Sequence, residues 1–475
     1  MNVALGEFHR FRGNRETFLY MVNSGGIVAL DEVSDALVQK LEGRTLSGDD
    51  LIRETVADGY ATQAVMESLR ELWQLGAISD GVPKPVTSQP LPDDFPLQSI
   101  VLNITNQCNL SCSYCYEFGE DKIATPEGKA KFMDWHTAKA SVDYLFESAS
   151  ARDALHITFF GGETLMNFPL LQKVVDYACG LAKEKNVRIG FSLTTNATLL
   201  TTKIIEYLAD NEIGVTVSID GTKEMQDKFR IFSNGKGSYD VIKPKIKELI
   251  ARHRSRPIAA RVTLTSGASD VLKIYDHLKN EFNFHEVAFA PVTTSPNRLY
   301  SIGEPGMDKV LEQFSELAKD YLRSALRGEH HGFSNVSDTL AELHQGVNKS
   351  LPCGAGLGMV GVGPSGDIAP CHRFVDSDDH VIGHIDTGID MEKRGEFLKK
   401  GRIDGKYDCH SCWARPLCAG GCHHEAFVRY GDSGHANLHY CDWIREWTHT
   451  CLSVYGAIAE ENPAFLEHFS ERKAS

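Results

Sequence analysis

Residues 99–115, SIVLNITNQCNLSCSYC, join a run of strand formers (99–104) to a loop carrying Cys108, Cys112 and Cys115. Aliphatic and β-branched residues in an unbroken run suit a strand buried on both faces. Three thiols within eight residues, directly after a strand, let one short loop wrap a compact centre. Full cysteine ligation of a four-iron cluster takes four ligands, so three leave one iron open. A zinc ion would ask for a fourth protein ligand and CxxC pairing. The bland alternative is three unliganded loop cysteines, and nothing in packing a loop requires such crowding.

Further strand formers follow at 155–160, 187–193, 214–219, 258–264 and 285–290, and helical stretches separate most of them. In 168–184, Leu171, Val174, Val175 and Ala178 recur at helical spacing on one face. Six strands with intervening helices predict parallel pairing through right-handed crossovers, short of a full eight-fold barrel. A long helical stretch, 307–326, closes this part. Polar residues gather where the strands end. Gly161, Gly162 and Glu163 (FFGGET) follow the second strand, Asn196 (TTNAT) the third, and Ser218 with Asp220 (SIDG) the fourth; Arg261 lies on the fifth. Parallel α/β folds collect ligands at such ends, although a Gly-Gly pair is commonly a turn and strand-end polar residues are commonly caps.

Upstream, TFLYMV (17–22) and GIVAL (26–30) flank a turn at 23–26 and predict a hairpin. Three helical patterns follow near 32–42, 47–58 and 62–76, with Ser47 and Asp50 as a helix start. This unit, 1–80, has the size and order of a winged-helix module. Arg10, Arg12 and Arg15 would serve an acidic peptide, or simply form a solvated face. Residues 81–97 hold five prolines and predict an extended linker. The α/β region is then 98–340, and 341–475 is rich in Gly, Cys, His and Trp with little periodicity. Metal sites would supply what burial does not.

Composition narrows the classes. The chain has 475 residues, 42% apolar and 24% charged, enough for several cores. Against 64 acidic residues stand 49 basic ones, a net charge of −15 with no basic block, which argues against nucleic acid. No apolar run approaches a membrane span. The N-terminus, MNVALGEFHRFRG, lacks a signal-peptide core, so the cytoplasm is expected. There, twelve cysteines point to metal or catalysis rather than disulfides. Seven of them form a second field: Cys353 and Cys371 with Gly366 between, then Cys409, Cys412, Cys418 and Cys422, then Cys441.

The CxxxCxxC loop resembles the signature of the radical S-adenosylmethionine (SAM) superfamily. The resemblance implies S-adenosyl-L-methionine on the open iron of a [4Fe–4S] cluster held by Cys108, Cys112 and Cys115. It also implies SAM contacts from Tyr114, Gly161, Gly162, Glu163, Asn196, Ser218 and Arg261, with Glu163 receiving the ammonium group and Arg261 facing a carboxylate. The second field resembles the SPASM domain. That implies two auxiliary [4Fe–4S] clusters, one on Cys409, Cys412, Cys418 and Cys441 and one on Cys353, Cys371 and Cys422, for three clusters in all. The three-cysteine auxiliary cluster would keep an open iron or take a non-cysteine ligand. The rival reading of the field is two zincs, with His423 or His424 completing one site. Cys179 and Cys451 are expected to be buried small residues. His372 follows Cys371, where sulfatase-maturing relatives carry an aspartate base. It is the candidate catalytic residue, although a supporting role near the cluster suits it better.

Across its length the chain resembles the maturases of the quinohaemoprotein amine dehydrogenase small subunit, through QCNLSCSYCYEFGEDKIA (107–124), FFGGETLMNF (159–168), SIDGTKEMQDKFR (218–230), CGAGLG (353–358) and CHSCWARPLCAGGC (409–422). That family implies thioether bonds from Cys sulfur to Asp or Glu methylene carbons in a ribosomally made polypeptide. It further implies a leader bound by residues 1–80 through strand addition, and an external electron donor such as flavodoxin or ferredoxin. The fold expected is α/β: a partial (β/α)6 radical SAM barrel between a winged-helix-like peptide-recognition module and a Cys-rich SPASM domain. Two alternatives stay open. One is another radical SAM/SPASM peptide modifier, making sulfur-to-α-carbon or carbon–carbon links. The other is a zinc-stabilised peptide-binding scaffold without redox chemistry.

Overall fold

The computed structural model describes residues 2–82, 95–125, 127–148 and 154–470. Most of the expected proline-rich linker, 83–94, lies outside the described residues.

The first eighty residues form two small sheets and three helices. Strands β1 (Asn2–Leu5), β2 (Phe8–Arg12), β3 (Thr17–Met21) and β4 (Ile27–Leu30) lead into α1 (Glu32–Leu41), β5 (Leu46–Ser47), α2 (Gly48–Ala57), α3 (Thr62–Leu75) and β6 (Ile78–Ser79). The order β2-β3-β4 is antiparallel, and β1 lies between β5 and β6. Local chemistry sets the helix ends. The Asp31 side chain accepts from Ser34 N and Ser47 from Asp50 N, while Gly76 closes α3 at φ 75°. The hairpin expected at 17–30 is present; β1 and β2 carried too little alternation to be foreseen.

Next come β7 (Ser99–Thr105), α4 (Trp135–Ser148), β8 (Ala154–Gly161), α5 (Phe168–Lys185), β9 (Arg188–Thr195), α6 (Thr202–Asp210), β10 (Gly214–Ser218), α7 (Lys223–Phe229), α8 (Tyr239–Arg252), β11 (Ile258–Leu264), α9 (Val271–His277), β12 (Glu286–Pro291) and α10 (Glu304–Leu326). The six strands pair in parallel in sequence order, as the alternation requires. Outer faces of the strands carry the main core, among them Ile157, Leu193, Val217 and Val262, against the apolar stripes of the helices. On α5, Leu171, Val174, Val175 and Ala178 are buried as expected, but Cys179 is exposed. One helical step, about 100°, turns it off the stripe that Ala178 ends. Cys451 is buried.

The chain ends with α11 (Ser334–His344), β13 (Met359–Val362), β14 (Asp367–Ala369), β15 (Gly383–His384), β16 (Gly388–Ile389), α12 (Met391–Gly401), α13 (Arg415–Cys418), α14 (His423–Tyr430) and α15 (Cys441–Glu461). Here β13 pairs in parallel with β7, and β14–β16 extend the sheet antiparallel to ten strands. The cysteine-rich region is thus joined to the barrel by continuous backbone hydrogen bonding at β7, the strand that leads into the first cysteine loop. Helix α15 in turn supports the N-terminal strands. Gly456 lets the hairpin approach, since a Cβ there would sit 3.1 Å from Phe18 and 3.2 Å from the Gly13 backbone. His9 stacks on Trp413 at 3.6 Å between ring centres and hydrogen-bonds His449 at 2.8 Å.

Candidate functional site

Cys108, Cys112 and Cys115 sit at the C-terminal mouth of the parallel strands, close enough for their charges to oppose one another. Burial pushes the Cys108 and Cys115 thiols up to about 12 and raises Cys112. Without an electrophile the loop therefore holds neutral thiols. A bound metal centre would draw the protons off.

The loop is moulded onto the GGE turn. A Cβ on Gly162 would lie 2.3 Å from the Gln107 carbonyl oxygen, and one on Gly161 2.1 Å from that of Thr105. Gly161 also has φ 128°, so both positions require glycine. Glu163 is 1% exposed. Its carboxylate accepts from Thr195 Oγ1 at 2.7 Å, Asn196 N at 2.7 Å and Leu165 N at 3.1 Å. Burial raises its pKa despite these donors. Glu163 is therefore first a strut between the ends of β8 and β9, with only its remaining lone-pair capacity left for an ammonium group. Asn196 Nδ2 donates to Asn109 Oδ1 at 3.0 Å and faces the Cys108 sulfur at 3.8 Å; Asn109 Nδ2 donates to Thr198 Oγ1 at 2.7 Å. Asn109 and Thr198 had no motif to mark them. The Tyr114 hydroxyl donates to Asp220, which also accepts from Arg230 Nε at 3.0 Å.

Ser218 and Arg261 are register partners on β10 and β11 and so share a face. The Arg261 side chain is accessible yet surrounded by protein, as befits a group facing the barrel's interior, and it has no hydrogen-bond or ion-pair partner among the described residues. Burial lowers its pKa, and Arg373 opposes its charge. His372 lies against Phe160, with ring centres 4.5 Å apart. Burial, then Arg373 and Arg261, holds it down to about 3, so it is neutral and accepts a proton poorly. Arg373 stands 5.1 Å over the Tyr116 ring and donates to Thr293 Oγ1 at 3.0 Å.

The second cysteine field folds into two groups. Cys409, Cys412, Cys418, Cys422 and Cys441 line a cavity of ≈ 200 Å³. Cys353, Cys371 and Cys422 oppose one another's charge. Burial pushes Cys371 up to about 12 and Cys409 up to about 11. Buried Lys406 reaches both groups and donates to the Ala419 carbonyl at 3.2 Å. No three His, Cys, Asp or Glu side chains among the described residues converge to the spacing of a single metal ion. Both nitrogens of buried His424 lack hydrogen-bond partners among the described residues, and His423 Nδ1 bonds the Ser433 carbonyl at 3.0 Å.

Of the three N-terminal arginines, Arg10 pairs with Asp35 at 2.6 Å and Glu42 at 3.2 Å, and Arg15 lies 3.8 Å from Glu460. Arg12 has no ion-pair partner among the described residues. It lines a groove with Arg10, Asp35, Gln39 and His449, between β2, α1 and α15.

Comparison with known proteins places this geometry. The sequence profile of the radical SAM superfamily matches residues 102–270, the span from β7 to the start of α9. An uncharacterized protein of Methanocaldococcus jannaschii is 39% identical over 142 residues, which is 30% of this chain and 45% of that protein's own length. A cysteine-type anaerobic sulfatase-maturating enzyme of Clostridium novyi is 24% identical over 385 residues, covering 78% of this chain and 99% of that enzyme. The solved structure of native anSMEcpe with bound AdoMet and Cp18Cys peptide has a TM-score of 0.63 at 21% identity, covering 79% of this chain and 99% of that one. It shares the fold. No helix among the described residues is long and apolar enough to cross a membrane.

Proposed function

We propose, from the match of residues 102–270 to the radical SAM superfamily profile, that this chain is a radical SAM enzyme that installs thioether crosslinks in a ribosomally made polypeptide. That family implies SAM and one [4Fe–4S] cluster. When bound, these supply a 5′-deoxyadenosyl radical. Cys108, Cys112 and Cys115 would hold the cluster. Gly161 and Gly162 bring the backbone against it, and Glu163, Asn196 and Ser218 line the approach at the ends of β8, β9 and β10.

The observation that supports the reading is that ten cysteines, scattered from 108 to 441, come close enough to others of the set for their charges to oppose one another. A zinc scaffold explains neither the three-cysteine loop nor its glycine-lined cradle. By resemblance to the SPASM domain, the two C-terminal groups would hold auxiliary clusters. The likeness to a sulfatase-maturating enzyme supports a protein or peptide substrate. Within it, the bond we favour joins Cys sulfur to an Asp or Glu methylene carbon, as in the amine dehydrogenase small subunit. Arg261, with no ion-pair contact among the described residues although Asp338 partly balances its charge, shares a strand face with Ser218, where an acidic side chain or the SAM carboxylate would lie. The groove at Arg12 would take an acidic stretch of leader. Both arginines put positive charge where an acidic chain must meet its partner.

Anaerobic reconstitution tests this. About twelve irons per chain are expected for three [4Fe–4S] clusters, and two zincs without iron would eliminate the enzyme. Replacing Cys108, Cys112 and Cys115 together with Ala should abolish SAM cleavage and leave auxiliary iron in place. Co-expression with neighbouring small open reading frames, followed by fragmentation mass spectrometry, locates the bond. Deuterium on the Asp and Glu methylenes should reach 5′-deoxyadenosine; its absence there refutes the thioether chemistry and leaves other radical SAM linkages standing.

A further inference from the structure

Arg230 and Asp220 form the most fully built charged contact in the barrel, and the proposed chemistry gives them no role. Arg230 caps the C-terminus of α7 and is 9% exposed; Asp220, two residues beyond β10, is 2% exposed. Arg230 Nε donates to Asp220 Oδ2 at 3.0 Å, and its segment is bonded to the cysteine loop, Ser111 N donating to the Ile231 carbonyl at 2.7 Å, which sets the guanidinium's charge beside Cys112. Its flat face lies 5.5 Å from the centre of the Tyr114 ring. Asp220 takes the Tyr114 hydroxyl on the same oxygen and Thr263 N at 3.1 Å on the other. The pair is locked from behind. Asp220 N donates to Gln226 Oε1 at 2.8 Å, Gln226 Nε2 to Ser238 Oγ at 2.9 Å, and Ser238 Oγ to the Arg230 carbonyl at 2.7 Å.

Enclosing an ion pair costs free energy that apolar packing would avoid, so its retention beside a thiol calls for a reason. An iron–sulfur potential depends on net charge and on hydrogen bonds to the ligand sulfurs. We propose that Arg230 and Asp220 act as opposed charges that set the reduction potential of the cluster held by Cys108, Cys112 and Cys115. Reduction adds negative charge. Arg230, a positive charge beside a ligand cysteine, stabilises the reduced form and raises the potential. Asp220, of opposite charge beside the same cysteine, opposes this. The inference rests on the assignment of a cluster to these three cysteines.

The test is potentiometric titration of the reconstituted full-length holoenzyme, followed by electron paramagnetic resonance. The signal that changes when SAM is added identifies the cluster in question. Arg230→Gln should move its midpoint to more negative potential, Asp220→Asn to more positive, and Arg230→Lys should stay nearer the wild type than Arg230→Gln. Loss of scaffolding alone would move both neutral variants the same way or neither, and either result overturns the proposal. If Arg230→Gln loses its cluster, Asp220→Asn decides: no positive shift refutes the idea. A wild type with no SAM-responsive signal overturns the cluster assignment as well. A normal signal whose midpoint ignores both substitutions overturns this inference alone.

Discussion

Replacing Asp121 with Asn should loosen the segment that follows the cysteine loop. Asp121 ties residues 116–125 to the stretch after β12. Its oxygens accept from Thr294 Oγ1 at 2.6 Å, Ser295 N and Oγ each at 3.0 Å, and Arg298 Nε at 2.9 Å. Burial alone would raise its pKa, but these donors outweigh burial and hold it down at about 2. Set against an ordinary value of 3.8, that is ~1.8 units, or ~2.4 kcal/mol at about 1.36 kcal/mol per unit. Arg298 is a third exposed, so solvent screening takes up to half of this, leaving ~1–2 kcal/mol. Amide hydrogen exchange in 116–125 should therefore speed up ~5–30-fold in Asp121→Asn at pH 7, since about 1.4 kcal/mol is tenfold. The pH sign follows from a depressed folded value. The contribution is complete above the unfolded value and is lost as pH falls through about 2. Between pH 8 and pH 5 the gap between wild type and variant should stay constant. Equal protection in the two proteins, or a gap that closes between pH 7 and pH 5, would refute the idea that the Asp121 carboxylate anchors this segment.

Single contacts elsewhere give further expectations. Gly162→Ala should drive the GGE turn off the Gln107 carbonyl and lose the iron of the first cluster, about four atoms of roughly twelve, by iron analysis; full iron content would show the approach to be dispensable. Iodoacetamide should label Cys179 in the folded holoprotein and spare Cys451, as peptide mapping would show; the reverse pattern would mean that α5 is rotated. Trp413→Ala removes the stack on His9, worth ~1 kcal/mol, and should hasten limited proteolysis of residues 1–80 several-fold. An unchanged rate would mean that Arg415–Glu7 and the α15 contacts hold that module alone.

Much of the barrel was legible because each strand is a short apolar run with its own boundary signals. SIVLNIT fits no amphipathic helix, and the stripe from Leu171 to Ala178 fits no strand. The C-terminal strands were illegible for a physical reason. Met359–Val362 is four residues long, and it is a strand because β7 offers an edge in parallel register, a partner far away in sequence. Its neighbours β15 and β16 have two residues each. Period 2 cannot be read from two residues. The site divides in the same way. Cysteine spacing and the GGE glycines are local and could be read in order along the chain. Arg230, Lys406 and Arg373 carry no spacing of their own, because what gives each a role is a sulfur or ring supplied by another segment. The Cys179 error has the same root in reverse. Helical period names a stripe, but the width of that stripe is set by the sheet it packs on, and a residue one step past its edge is decided by the partner. The cysteine pattern is therefore sequence-readable, whereas the charges that surround it are properties of the fold. Tests of chemistry should accordingly begin with the cysteines, and tests of potential with the arginines and lysine around them.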